Sequence, residues 1–99
     1  MARFHVYRLE PDDALVLDVQ SSLLVNLDTR AVVPLLPTTA LSPIMARLNP
    51  KFTIDGDLYV MATQFIGVVS DRSIGLSVSN LTARADDIIA ALDFLFQGF

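Results

Sequence analysis

Cysteine is absent from the chain and histidine occurs once. Without thiolates neither a disulfide framework nor a thiolate zinc site can be built, and a single imidazole excludes a His-rich metal centre. Basic residues are few. Arg3, Arg8, Arg30, Arg47, Lys51, Arg72 and Arg84 are scattered along the chain, and seven basic against eleven acidic residues leave a formal net charge of −4. That balance disfavours nucleic-acid binding by this chain alone. Long apolar runs are missing too, since Pro, Asp, Arg or Asn interrupts every one short of the ~18 residues needed to span a bilayer. The expectation is a soluble protein with no membrane association. The opening MARFHVYRLEPDD carries acidic residues where a secretory signal is apolar, so no export sequence is expected and the cytoplasm is the expected compartment. No glycine-rich phosphate loop, nucleophile elbow or metal-ligand spacing occurs, so the expectation is no cofactor and no catalytic constellation.

What is abundant is apolar side chain. Hydrophobic residues make up 53% of the 99 positions and charged residues 18%, more apolar surface than one small core would cover. A single domain spanning 1–99 buries only about two thirds of its unfolded surface. Association with a second copy is the simplest way to cover the surplus.

The chain begins as short strands. RFHVYRL alternates Phe4 and Val6 with His5, Tyr7 and Leu9, the pattern of a strand covered on both faces. EPDD reads as a turn, and ALVLDVQ and RAVVPLL read as β-branched strands. Pro34 lacks a ladder donor, which places it at an edge or a bulge. Between those strands, SSLLVNLDT puts the apolar pair Leu23 and Leu24 in a polar connection. PTTALSPIMARLNP reads as a loop with one helical turn at Ile44 to Leu48. Asp55-Gly56 between two strand-like runs predicts a two-residue hairpin, because both residues accept positive φ. IGVVS and SIGLSV follow as two short strands around Asp71-Arg72.

The period changes in NLTARADDIIAALDFLFQGF. Ala85, Ile88, Ile89, Leu92, Leu95, Phe96 and Phe99 recur at spacings of three and four, predicting an amphipathic helix of about fifteen residues, roughly 22 Å long. Asn80 or Thr82 can cap it, Asp86 and Asp87 suit its positive end, and Gly98 is a natural terminator. Strands first and one helix last predict an α+β plan with barrel-like curvature. Packing on the sheet explains Ile88, Ile89 and Leu92. It explains Gln97, Gly98 and Phe99 poorly, because the core should already have ended where Gly98 terminates the helix.

Candidate chemistry is thin. His5 sits mid-strand without an acidic neighbour in register and is better read as a packing or hydrogen-bonding residue than as a general base. Asp86 and Asp87 diverge by about 100° on a helix and are better read as helix-end charges than as a catalytic pair. Asp18, between Leu17 and Val19, calls for solvent or a partner such as Arg30, and the structural role outweighs a catalytic one.

LVLDVQSSLL, then LDTRAVVPL, then the Asp-Gly hairpin followed by LYVMAT, and finally DDIIAALDFLFQGF resemble, in this order and spacing, the CcdB-type toxins of bacterial toxin–antitoxin modules. The resemblance covers essentially the whole chain, with one extra residue between Ile66 and Ser73. It implies an SH3-like antiparallel β-barrel core with a small inserted β-sheet and one C-terminal α-helix, assembled as a homodimer. It implies a non-enzymatic function: binding the A subunit of DNA gyrase and trapping the cleaved DNA–gyrase complex. A CcdA-type antitoxin would neutralise the toxin and, supplying the DNA-binding domain, repress the operon together with it.

Carried over residue by residue, the gyrase-binding positions are Leu23, Leu24, Asp93, Phe96, Gln97, Gly98 and Phe99. Gln97 departs from the best-known pattern, which has tryptophan there stacking on a gyrase arginine, a contact worth roughly 1–2 kcal/mol when desolvated. Phe99 departs as well, standing where that pattern is aliphatic. The alternative readings are a non-toxic or retargeted CcdB-like binding protein and a ribonuclease of the related MazF and Kid type. The ribonuclease reading wants a basic groove and acid–base residues that the sequence does not supply.

Overall fold

Every strand expected from the sequence forms, and every pairing between strands is antiparallel. The computed structural model describes residues 2–98. In chain order the strands are β1 (His5–Leu9), β2 (Ala14–Asp18), β3 (Thr29–Pro37), β4 (Lys51–Ile54), β5 (Asp57–Met61), β6 (Gly67–Ser70) and β7 (Ile74–Asn80), followed by helix α1 (Ala85–Gln97). All seven strands belong to one sheet, ordered β4-β5-β3-β2-β1-β7, with β6 also paired to β3. Register shifts in β1 against β7, between Val6 and Tyr7 and between Tyr7 and Leu9, add local twist and help curl the sheet into a half-barrel. With its single helix this is the α+β, SH3-like plan.

Alternation sorts the core onto two faces. Val6, Leu15, Leu17, Val33, Leu35, Phe52, Ile54 and Met61 form the main cluster, which Leu81, Ile88 and Ala91 complete from the helical end of the chain. The residues between them in the strands, Tyr7, Val16 and Val32, point the other way and pack with Leu9, Val69 and Ile74. The first strand is therefore covered on both faces, as its pattern implied. A third cluster of Leu41, Val60 and Ala62, with Leu36 and Ile44, fastens the loop that precedes β4.

Pro34 lies neither on an edge strand nor at a bulge. It sits inside β3, opposite Val16 of β2. The other side of β3 is shared by two partners, β6 along Thr29–Val32 and β5 along Leu35–Pro37. Pro34 falls between them, and its carbonyl accepts the Ala62 N–H on that side at 2.9 Å. The missing N–H thus falls where the ladder changes strand, a place where no donor is required.

The hairpin is as expected. Ile54 pairs with Asp57, and Asp55 and Gly56 between them have φ values of 52° and 87°, the two positive angles of a type I′ turn. One hydrogen-bonded turn occurs near the expected place, with Met45 O accepting from Leu48 N and Asn49 N. Buried Asn49 secures it, its Oδ1 accepting from Met45 N and its Nδ2 donating to Met61 O and Gln64 Oε1.

Helix α1 starts later than its capping residues suggested. Leu81 stands at the N-cap of a short 3₁₀ turn, Thr82–Arg84, Asn80 just before it accepts the Thr82 N–H at 2.9 Å, and the α-helix grows from that turn without a side-chain cap of its own. Asp86 and Asp87 lie in its first turn as expected, and Arg84 pairs with Asp87 at 2.7 Å. The helix packs against the Thr63–Phe65 turn. Guanidinium groups help hold it, with Arg84 4.7 Å above the Phe52 ring and Arg47 4.5 Å above the Phe94 ring.

Candidate functional site

Asp18 ends β2 with a carboxylate inside the protein. It is fully buried, and Arg30 at the start of β3, equally enclosed, donates to its Oδ2 through Nε at 2.9 Å and Nη2 at 2.5 Å. The pairing suggested by sequence is therefore an internal ion pair with no solvent access, a role that accounts fully for both side chains. The second carboxylate oxygen accepts the Gln20 N–H at 3.0 Å.

The connection from β2 to β3 is built outward from that pair. Gln20, itself buried, donates through Nε2 to Leu24 O and accepts the Ala31 N–H on Oε1, both at 3.0 Å. Ser21 caps the 3₁₀ turn Ser22–Leu24 by accepting the Leu23 N–H on its hydroxyl at 3.2 Å. The result is a turn without a buried residue. Leu23 is 90% exposed, and Leu24, Val25 and Leu27 are exposed beside it. Apolar side chains in solvent on a hydrogen-bonded turn contribute nothing to the core; they are surface available to a partner.

Helix α1 carries the second group. Ile88 and Ala91 are buried, with Ala85 and Leu92 packed beside them. At about 100° per residue, Ile89, Asp93, Phe96 and Gln97 lie on a different face, and all four are exposed. Ile89 is a correction to the sequence reading. It belongs to the outward face, and Ala91 takes the core place, because the sheet covers a narrower arc of the helix than the apolar residues occupy. Phe96 is 69% exposed. Gly98 closes the helix with φ of 78°, its N–H reaching Phe94 O at 3.0 Å. That left-handed cap is the terminator expected from the sequence. Phe99 lies outside the described residues.

Leu23 and Leu24 therefore occupy one element, and Asp93, Phe96, Gln97 and Gly98 another. Two side chains escaped the sequence reading. Gln20 carried only the motif signal DVQS, and Arg47 over Phe94 carried none, since the loop and the helix are distant in sequence.

Beyond the Asp18–Arg30 and Arg84–Asp87 pairs, the titratable side chains of the described residues do not gather into a cluster. His5 stacks on Tyr7 with ring centroids 6.4 Å apart, and among the described residues no three His, Asp or Glu side chains converge as a metal site. Two shallow hollows flank the loop before β4. One of about 400 Å³ is lined by Ile44, Ala46, Asn49 and Lys51, and one of about 250 Å³ by Ala46, Arg47, Pro50, Asp87 and Ala90. Neither includes the exposed turn or the helix end. Among the described residues no helix is long and apolar enough to cross a membrane.

A half-barrel with an exposed leucine turn and an exposed aromatic helix end defines a class: small curled-sheet proteins that present apolar tips at their surface. The family model described as CcdB protein matches residues 3–98, and the chain belongs to the CcdB family. That family comprises gyrase poisons from toxin–antitoxin modules.

Proposed function

We propose that this chain is the toxin of a type II toxin–antitoxin module that binds the A subunit of DNA gyrase and traps the cleaved DNA–gyrase complex. Leu23 and Leu24 on the β2–β3 turn, with Asp93, Phe96, Gln97, Gly98 and Phe99 at the end of α1, form the contact surface. The protein acts by docking and not by catalysis, in the cytoplasm, as one domain over 1–99. A homodimer presents two such surfaces to a two-fold target, and shared symmetry lets both engage alike. A CcdA-type antitoxin neutralises it and carries the DNA-binding part of the repressing complex. The net charge of −4 suits that division of labour.

The observation that carries the reading is the exposure of Leu23 and Phe96 on ordered elements, 90% and 69% respectively, in a chain of this family. Exposed apolar side chains gathered at the surface mark sites of protein contact, and aromatic rings are enriched in the buried centre of interfaces. The test is supercoiling by purified gyrase with added protein. Inhibition together with accumulation of double-strand cleavage complexes is expected. Full supercoiling with no cleavage complexes at high protein concentration, across gyrases from several bacteria, overturns the reading. Gln97 favours one alternative, a retargeted or non-toxic binding protein, since an exposed amide cannot stack as a ring does. Unaffected growth on induction in a host without the antitoxin would select it.

A further inference from the structure

We propose that Gln20 is a positioning residue that holds the Leu23–Leu24 turn in its binding shape, an inference that rests on the docking role given to that turn above. The turn has little packing of its own to define it. None of its residues is fully buried: Leu23 is 90% exposed, and Leu24, Val25 and Leu27 keep 47%, 57% and 48% of their surface in solvent. Its internal bonds are local: Ser21 Oγ accepts from Leu23 N, Leu24 N donates to Ser21 O, and Leu27 N donates to Leu24 O. Such bonds shape a turn without fixing where it sits.

Gln20 supplies the fixed point. Its amide nitrogen holds Leu24 O at 3.0 Å while its amide oxygen holds Ala31 N at 3.0 Å, so one side chain ties the turn to the next strand. Gln20 is only 7% exposed, and its backbone N–H is anchored on Asp18, which Arg30 holds in turn. Among the described hydrogen bonds, the one from Gln20 to Leu24 is what joins residues 21–27 to the strands. The chain of contacts therefore runs from the buried ion pair through one amide to the exposed leucines. A partner then meets leucines already in place, and the entropy of ordering them is not charged to binding.

The test compares Gln20→Met, which keeps the length and loses both hydrogen bonds, with Gln20→Glu, which keeps the acceptor for Ala31 and loses the donor to Leu24. Amide hydrogen exchange is read across residues 21–28 and across α1, together with affinity for the purified A subunit of gyrase and the thermal midpoint. Both variants are expected to exchange faster in 21–28 with α1 unchanged, and to bind gyrase about tenfold more weakly, the scale of ordering two or so side chains. A merely structural role would speed exchange in both regions together and lower affinity only through the unfolded fraction, and that result overturns the proposal. So does unchanged exchange in 21–28, or faster exchange with unchanged affinity. Should Gln20→Met fail to fold, Gln20→Glu carries the same readouts. Wild-type protein that ignores gyrase overturns the gyrase reading alone, and the exchange pattern still decides whether Gln20 holds the turn.

Discussion

Phe96 and Ile88 lie on the same helix, and changing each to alanine should produce opposite failures. Phe96 is 69% exposed. A phenylalanine offers about 150–250 Å² of surface, so roughly 100–170 Å² of this ring is available to a partner. At about 25 cal/mol per Å², complete burial on gyrase contributes at most about 3–4 kcal/mol, the range of an interface hot spot. Phe96→Ala should thus weaken gyrase binding by about a hundredfold, at 1.4 kcal/mol per tenfold. Folding stability should change by no more than about 0.5 kcal/mol, since the ring packs little in the free protein. Ile88 is fully buried in the main cluster. Truncating it leaves a cavity between helix and sheet and should cost about 2–5 kcal/mol. For a domain of this size that lowers the melting temperature by roughly 10–30 °C. Its folded fraction should bind gyrase as the wild type does. The assay pairs urea denaturation with equilibrium binding to the gyrase A protein for both variants. A Phe96→Ala protein that melts like Ile88→Ala would make the helix end part of the core. One with wild-type affinity and stability would remove Phe96 from the contact surface.

The buried pair should respond asymmetrically: Arg30→Met alone strands the Asp18 carboxylate and should cost about 3–5 kcal/mol, whereas Arg30→Met with Asp18→Leu should recover only part of it, because Asp18 also accepts the Gln20 N–H, which the double variant leaves unpaired. Urea midpoints of the single and double variants measure this, and a single-variant loss below about 1 kcal/mol would show that water reaches Asp18. Gly98→Ala meets no atom within 4 Å, so its cost comes from the backbone alone, about 1 kcal/mol at a φ of 78°. Circular dichroism should show fraying of the last helical turn and binding should weaken with it, while unchanged helicity and affinity would mean the left-handed cap is dispensable.

Several features were legible because their causes are local. Asp55-Gly56 demands positive φ wherever it occurs, so the hairpin followed from two residues. Gly98 ended the helix for the same reason. Asp18 between two apolar strand residues calls for solvent or a partner such as Arg30, and the structure pairs it with Arg30. Other assignments depended on residues far apart in sequence. Pro34 looked like an edge residue because one strand cannot reveal that its neighbour changes midway from β6 to β5. Ile89 and Ala91 were both apolar on a periodic helix, and only the arc covered by the sheet separated the outward one from the buried one.

The sequence alone determined the element types, the hairpin, the helix stop and, through DVQSSLL and the closing DDIIAALDFLFQGF, the family resemblance. Each of these rests on backbone preference, periodicity or a short motif, which act over a few residues. The tertiary structure decided which apolar side chains are core and which are surface, where the proline is tolerated, and what holds the leucine turn in place. Those depend on which strands become neighbours. Gln20 shows the difference: in the sequence it is one polar residue closing a strand-like run, and in the fold its single amide links Leu24 to Ala31 across the connection.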